Sequence, residues 1–317
     1  MKDVKHVNYT QLDHKVDIVG EQGVIILTSL QAYEQFAWCR EYFSQQPQEG
    51  YFIWVKRSQP QPITTSIVMC SQYVTQNSLN LVVVEQGVQA EMINTCAAQR
   101  GNLYGKHIGH TKIVVKENAR FKVKHVHSWG KDDTVSSNLE LTLKRGSEVS
   151  YSQRCHHAPL KLTLENNNYL DEYASLNYAA TVLSEQGQIE MYDDTYLNGR
   201  KSNGISRVKM IARENTRLHA QSRMFANAAG TGHLDCMGLL LGDNSDIVAI
   251  PELINKNRDA SLTHEASVGK ISEEVLNYLR SRGLTEDEAI DLVVTGFLGE
   301  EENVVIDGVP VSSKTYM

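Results

Sequence analysis

The sequence predicts a mainly β protein, a parallel β-helix with a small N-terminal α/β region and a C-terminal helical domain. Three observations lead to this fold class. Short runs of alternating apolar and polar residues fill residues 66–270. Small polar turns separate these runs at intervals of roughly 20 to 30 residues, the spacing of stacked repeats. Two capped helical patterns then occupy residues 271–298.

Composition narrows the classes of function. The chain has 317 residues, 41% of them hydrophobic, and a net charge of −7. This length can bury a large core, and the negative charge argues against nucleic acid as the main partner. Apolar stretches such as Val24–Leu27 and Leu81–Val84 are too short to cross a bilayer, and the first residues lack the apolar segment of a signal peptide. The sequence therefore predicts a cytoplasmic protein without a membrane partner.

Residues 1–65 form the first region, which contains one predicted helix. Thr28 and Gln31 have the spacing of a capping box, which fixes the start of a helix. Apolar residues then follow at helical spacing as far as Phe43, and the polar segment 45–50 ends the helix.

Residues 66–270 are predicted to form the β-helix. The polar turns that mark the coils are Glu85-Gln86-Gly87, Glu117-Asn118-Ala119, Lys144-Arg145-Gly146-Ser147, Glu165-Asn166-Asn167, Ser184-Glu185-Gln186-Gly187, Arg213-Glu214-Asn215-Thr216 and Gly242-Asp243-Asn244-Ser245. One such unit cannot bury its apolar face alone, whereas stacked units cover one another. A β-sandwich is the competing fold, but it favours two-residue hairpin turns, for which Asn198-Gly199 is the single candidate.

Residues 271–298 are predicted to form two short helices. Ser272 caps the first helix, and Gly283 follows its last turn. Thr285 and Glu288 form a capping box for the second helix. Its apolar stripe is predicted to contain Ala289, Leu292, Val293, Gly296 and Phe297. Residues 299–317 form an acidic and then polar tail.

Several segments resemble the SufB/SufD family of iron–sulfur cluster assembly scaffolds. They are the run Thr-His-Glu-Ala-Ser-Val-Gly-Lys-Ile at 263–271, residues 277–289, residues 293–298, His-Ser-Trp-Gly at 127–130 and Cys-Met-Gly-Leu-Leu-Leu-Gly at 236–242. The resemblance implies a right-handed β-helix and a compact, archaeal or minimal SufBD-like form. It also implies a scaffold rather than an enzyme, with a transient iron–sulfur cluster formed where two β-helices pair as a homodimer or with a sister chain.

The resemblance also implies a site and its partners. It places the essential cysteine at Cys236, a histidine ligand at His264 and a functional carboxylate at Glu265, and these three residue types are all plausible iron ligands. Adjacent residues of a strand point to opposite faces, so His264 and Glu265 cannot both face one site without a bend. The alternative is that these two residues cap the edge of the β-helix. A cysteine desulfurase or another sulfur donor is a further possible partner.

The C-terminal helices are implied to dock an ABC-type ATPase of the SufC kind. The residues expected to contact it are Tyr278, Leu279, Arg282, Gly283, Leu284, Glu288 and Phe297.

Two alternating pairs are possible accessory sites. His125 and His127 share one face of a strand, as do Cys155 and His157, and either pair could bind a metal, while Cys155 and His157 could also relay sulfur. Such spacing also arises by chance on a polar sheet face. Asp193 and Asp194 have no evident partner, so the default expectation for them is a solvated face.

The sequence lacks the motifs of nucleotide-binding proteins. The chain has no Gly-x-x-x-x-Gly-Lys-Ser/Thr loop and no Gly-x-Gly-x-x-Gly segment, so no nucleotide is expected on it. Two alternatives stay open: an adaptor for the ATPase that carries no cluster, and a β-helix carbohydrate-active enzyme. The second would need two or three carboxylates on one groove face.

Overall fold

The computed structural model describes residues 7–20, 22–298, 305–306 and 309–310. The chain contains two compact units, residues 1–269 and residues 270–317. The first unit holds helix α1 (Ser29–Gln35), a 3-10 helix (Ala37–Tyr42) and nearly all of the strands. These strands are β1 (Asn8–Leu12), β2 (Lys15–Val19), β3 (Val24–Thr28), β4 (Tyr51–Val55), β5 (Ile63–Met69), β6 (Thr75–Val84), β7 (Gln89–Ala98), β8 (Lys106–Val115), β9 (Arg120–Ser128), β10 (Thr134–Leu143), β11 (Glu148–His157), β12 (Lys161–Leu170), β13 (Ser175–Leu197), β14 (Asn203–Ala226), β15 (Thr231–Leu240), β16 (Asp246–Asn255) and β17 (Ser261–Lys270).

The strands stack into a parallel β-helix, which confirms the predicted fold class. Each coil gives one strand to a first sheet (β5, β7, β9, β11, β15, β17 and the first halves of β13 and β14) and one to a second sheet (β4, β6, β8, β10, β12, β16 and the second halves). Paired residues on successive coils are 31 positions apart at Thr75 and Lys106 and 27 apart at Thr134 and Lys161.

Alternating side chains fill the space between the two sheets. In β5 every second residue is buried, as a strand with one face on a core requires. The inward residues of successive coils form one hydrophobic core from Val7 to Ile247. Tight turns join the sheets; at one of them, the Asp133 carboxylate accepts hydrogen bonds of 2.8 Å from the backbone amides of Gly105 and Gly130.

Six of the seven predicted turns lie at corners of the coils, and one does not. The segment at 165–167 is inside β12, where Asn166 points inward and its amide donates to the Tyr178 hydroxyl at 2.5 Å. The chain turns instead at 171–174, between β12 and β13. At residues 213–216 the chain bends at a corner of the coil, and strand β14 continues through this bend. The inward asparagine explains the error, because it resembles a turn residue in the sequence.

The N-terminal helix is shorter than predicted. Thr28 and Gln31 form the predicted capping box, but α1 ends at Gln35 because Phe36 is extended, with φ −119° and ψ 98°. The Phe36 ring packs on Phe52 and Trp54, and the chain continues as the 3-10 helix. Strand β5 crosses the boundary placed at residue 65, and β1 and β4 pair with strands of the same sheets, so this region is part of the first unit.

The second unit contains α2 (Glu273–Ser281) and α3 (Glu286–Leu298). The Ser272 hydroxyl caps α2, and Thr285 and Glu288 form the capping box of α3 as predicted. The predicted apolar stripe needs correction, since Leu292 is 52% exposed whereas Val294 is buried. The predicted tail, 299–317, lies outside the described residues except for a pairing of Val305–Ile306 with Val309–Pro310. Among the helices described, none is long and apolar enough to cross a membrane.

Candidate functional site

The last coil of the β-helix consists of β16 and β17, and the described chain places no later coil on it. Strand β16 pairs with the second half of β14, and β17 pairs with β15. Inward residues of this coil, among them Ala249, Leu253 and Leu262, are only partly buried. The β-helix therefore ends in an accessible apolar inner surface flanked by two terminal strands.

His264 and Glu265 lie on β17 and point to opposite sides of the sheet. The Ser261 amide donates to the Gly230 carbonyl at 2.9 Å, and the His233 Nδ1 and Thr263 Oγ1 atoms are 2.8 Å apart. This register puts Glu265 beside Asp235 on the outer face. It puts His264 beside Leu234, whose side chain is fully buried, so the His264 imidazole is on the inner face.

Cys236 lies on β15, also on the inner face, one strand in from the end. Its residue is 1% exposed, and its thiol donates to the Ser222 hydroxyl at 3.7 Å. Burial raises the pKa of the Cys236 thiol, the hydrogen bond to Ser222 opposes this shift, and the nearby Asp193 charge adds to it. The thiol is thus held protonated and covered by its neighbours on the inner face.

Asp193 and Asp194 do not form the solvated face that was expected. Asp193 is 3% exposed; its Oδ2 atom accepts from the Ser206 hydroxyl at 2.5 Å and its Oδ1 atom from the Asn168 amide at 3.0 Å. Burial raises the pKa of Asp193 to about 6. Asp194 points the other way and binds Arg223 through two hydrogen bonds of 2.7 and 2.6 Å. Strand alternation puts Asp193 on the inner face with Ile189 and Met191, and this alternation was the signal in the sequence for its burial.

His125 and His127 share the inner face of β9, as predicted from their spacing, and their ring centroids are 4.0 Å apart. His125 contacts the Cys96 sulfur at 3.4 Å and the Tyr151 hydroxyl at 2.9 Å. Together with His107 these rings are fully buried, which lowers the pKa of His107 to about 4 and that of His125 to about 3. They are neutral members of an internal hydrogen-bond network.

Cys155 and His157 are separated, because a β-bulge between them breaks the alternation on which their pairing was predicted. Cys155 is buried and its thiol lies 3.5 Å from the His157 carbonyl oxygen, whereas the His157 side chain is exposed. Over the described residues, no three His, Cys, Asp or Glu side chains are grouped closely enough to hold a metal ion. Each accessory pair is therefore, in this structure, a hydrogen-bonding or surface feature.

The residues expected to bind the ATPase form the two helices of the second unit and the loop between them. Tyr278 is 58% exposed, and the Arg282 guanidinium lies 5.5 Å from the centre of its ring. Leu279, Leu284 and Phe297 are partly buried, and Gly283, with φ +99°, adopts the left-handed conformation that ends α2.

A shallow groove on the first sheet contains carboxylates, which bears on the carbohydrate-enzyme alternative. Glu91 and Glu148 line it, but Glu148 pairs with Arg120 at 3.1 Å and Glu91 lies within 3.7 Å of Lys124. A glycosidase needs one carboxylic acid and one free carboxylate across a bond. Both groups here are matched to cations, so this groove offers no such pair.

Comparison with known proteins gives consistent matches. The family model described as "SUF system FeS cluster assembly, SufBD core domain" matches residues 67–297. An iron-sulfur cluster assembly SufBD family protein of Archaeoglobus fulgidus is 29% identical over 91% of this chain and 82% of its own length. A relative of the same description from Methanothermobacter thermautotrophicus is 28% identical over 82% of this chain, and one from Synechocystis is 22% identical over 78%. The chain spans 64% and 55% of the lengths of these last two proteins.

Proposed function

The chain belongs to the SufBD family of the SUF iron–sulfur cluster assembly system, and from this premise we propose that it is a scaffold on which clusters form with the help of a SufC-type ABC ATPase. The cluster is a transient cargo, and the chain itself performs no nucleotide chemistry. The observation that carries the proposal is the open end of the β-helix, where an exposed imidazole and a nearby thiol share one inner face.

Two copies, or this chain and a sister chain, would pair through their terminal strands. Unpaired strand edges are templates for pairing with another chain. The partly buried inner residues of β16 and the more exposed inner residues of β17 give such a partner an apolar surface to cover. In that arrangement His264 of each copy would lie at the interface, which supports it as a ligand to the nascent cluster. Glu265 would face the outer side and would act at the rim.

The helical unit is the proposed docking site for the ATPase. Tyr278 and Arg282 present an aromatic ring and a guanidinium, the side-chain types most enriched at interface hot spots. Closure of two ATPase subunits on ATP would pull on the two helical units and open the final coils. This movement would uncover Cys236 for sulfur or iron, and it requires that the ATP-bound state favour the open packing.

Anaerobic coexpression with a SufC-type ATPase tests the proposal. We expect a complex that contains both proteins, binds iron and sulfide, and absorbs visible light after reconstitution. ATPase binding without any cluster would instead establish the adaptor function and overturn the scaffold. Cys236→Ser should abolish cluster formation, while Cys39→Ser, which removes an equally buried thiol in the N-terminal region, should not.

A pair of helix variants tests the docking site. Tyr278→Ala should weaken ATPase binding by about 2 kcal/mol or more, the loss that defines a hot spot. Asn277→Ala, on the adjacent exposed position of α2, should bind the ATPase as the unchanged protein does. Equal binding by both variants, measured by calorimetry, would exclude this face of α2.

A further inference from the structure

A buried serine on the second sheet faces the Cys236 thiol across the interior of the β-helix. Ser222 lies in the second half of β14 and is 2% exposed. Its hydroxyl oxygen accepts the thiol hydrogen at a sulfur–oxygen distance of 3.7 Å. Cys236 itself lies on β15, which belongs to the first sheet. This contact therefore joins the two sheets one coil in from the end of the β-helix.

No other side chain competes with Ser222 for the thiol. Among the described residues, the side chains of Ser222 and Cys236 have only each other as hydrogen-bond partners. In the last coil, Pro251 is in register with Ser222, and the hydrogen bonds between β15 and β17 put Ala266 beside Cys236. Val208 is in register with Cys236 on the other side. These three neighbours have no polar side-chain atom, so the orientation of the thiol depends on Ser222.

The Ser222 hydroxyl contributes little to the stability of the fold. A buried hydroxyl loses its hydrogen bonds to water, and a thiol is only a weak donor in return. Nearby inner hydroxyls have stronger partners. Ser206 donates to the Asp193 carboxylate at 2.5 Å, and Thr195 accepts from the Asn168 amide at 3.1 Å. The serine at position 222 is therefore better explained by its effect on the thiol than by packing.

We propose that Ser222 is a positioning residue for Cys236, whose hydroxyl holds the thiol in one orientation between the two sheets for the arriving sulfur or iron. This inference rests on the proposed function, and it assigns to Ser222 a role that acts through the thiol. A cysteine side chain has three staggered orientations about its first side-chain bond. The hydrogen bond to Ser222 selects one of them, so the thiol is already placed when its reaction partner arrives.

Infrared spectroscopy of the full chain tests the contact, because the S–H stretching band moves to lower frequency when a thiol donates a hydrogen bond. Subtracting the spectrum of the matching Cys236→Ser protein isolates the Cys236 band. We expect a hydrogen-bonded frequency in the unchanged protein and in Ser222→Thr, and the higher frequency of a free thiol in Ser222→Val. Threonine and valine have nearly the same shape, so these two variants differ in the hydroxyl. The bands of Cys39 and Cys155, which donate to backbone carbonyls, are internal controls and should not move.

The rate of cluster formation in the complex with the ATPase tests the role of the contact. At saturating iron and sulfide, Ser222→Val should slow cluster formation roughly three- to tenfold, the effect of losing one neutral hydrogen bond. Ser222→Thr should form clusters at the rate of the unchanged protein, because it retains the hydroxyl. A residue that served packing alone would not give this rescue together with the shift of the infrared band.

Two results would overturn the inference: a Cys236 band at the free-thiol frequency in the unchanged protein, or equal rates of cluster formation in Ser222→Val and the unchanged protein. The first result needs no variant at position 222, so it decides the question even if Ser222→Val does not fold. Neither result affects the scaffold proposal. Absence of any cluster in the unchanged protein would instead overturn the scaffold proposal, and the infrared spectrum would still decide whether Ser222 holds the thiol.

Discussion

The stability of the β-helix should fall steeply between pH 8 and pH 5 because three histidines are buried in neutral form. His107, His125 and His127 have pKa values lowered by burial, the first to about 4 and the second to about 3. In the unfolded chain these rings titrate near pH 6.5. Protons therefore bind the unfolded chain first as the pH falls. The stabilising contribution of the neutral rings is present above pH 6.5 and is lost below it.

The size of the loss follows from these pKa values. At pH 5, proton binding stabilises each unfolded histidine by about 2 kcal/mol relative to the buried folded ring. The three histidines together therefore lower the free energy of unfolding by about 6 kcal/mol. Asp193 opposes this trend, because its folded pKa of about 6 lies above its unfolded value. At pH 5, protonation of Asp193 in the folded chain raises the free energy of unfolding by roughly 1 kcal/mol. The net loss of about 5 kcal/mol is comparable with the whole stability of many domains.

Urea unfolding monitored by circular dichroism at pH 8, 7, 6 and 5 measures this loss. His107→Asn is the informative variant, since an asparagine amide can replace the ring nitrogen that faces the Gln76 carbonyl oxygen at 3.0 Å. The His107→Asn variant should lose less stability between pH 8 and pH 5, because its free energy of unfolding should fall by roughly 2 kcal/mol less, about a third of the histidine effect. His110→Asn, at an exposed position of the same strand, should leave it unchanged. A flat pH profile, or equal profiles for His107→Asn and the unchanged protein, would refute the reasoning.

Three further predictions concern stability. Asp133→Ala leaves two buried backbone amides without acceptors and should lower the free energy of unfolding by about 2 to 4 kcal/mol; a loss below 1 kcal/mol in urea would contradict this. Gly199→Ala would bring a Cβ atom within 1.9 Å of the Glu172 backbone nitrogen and should cost about 3 kcal/mol or more, whereas Gly101→Ala, with nothing within 4 Å, should melt unchanged. Ser272→Ala removes the cap of α2 and should destabilise that helix by about 1 kcal/mol, visible as faster amide exchange in α2 with no change in the β-helix strands.

Local rules predicted the parts of the fold that local chemistry determines. The capping boxes at Thr28 and Thr285 and the cap at Ser272 form as predicted, because a capping side chain needs only neighbours three positions away. The end of α1 depends on Phe36, whose ring packs on β4, a strand some fifteen positions further along the chain. No local pattern contains that contact, so the helix was predicted to be too long. The same limit applies to Leu292 in α3, which is apolar yet exposed.

The interior of this β-helix is partly polar, and this is why sequence patterns misplaced several side chains. Asn166 and Asp193 have the composition of turns and surfaces, yet they occupy inward positions where neighbouring coils provide their hydrogen bonds. The alternation of side chains along a strand is the better guide to burial, because it holds whatever the polarity of the residues. In the terminal strand β17 this alternation puts His264 and Glu265 on opposite faces, with His264 on the inner face that also holds Cys236. Two candidate ligands at adjacent sequence positions are therefore divided between the two faces of one strand, and a sequence pattern that reads them as a pair cannot show this separation.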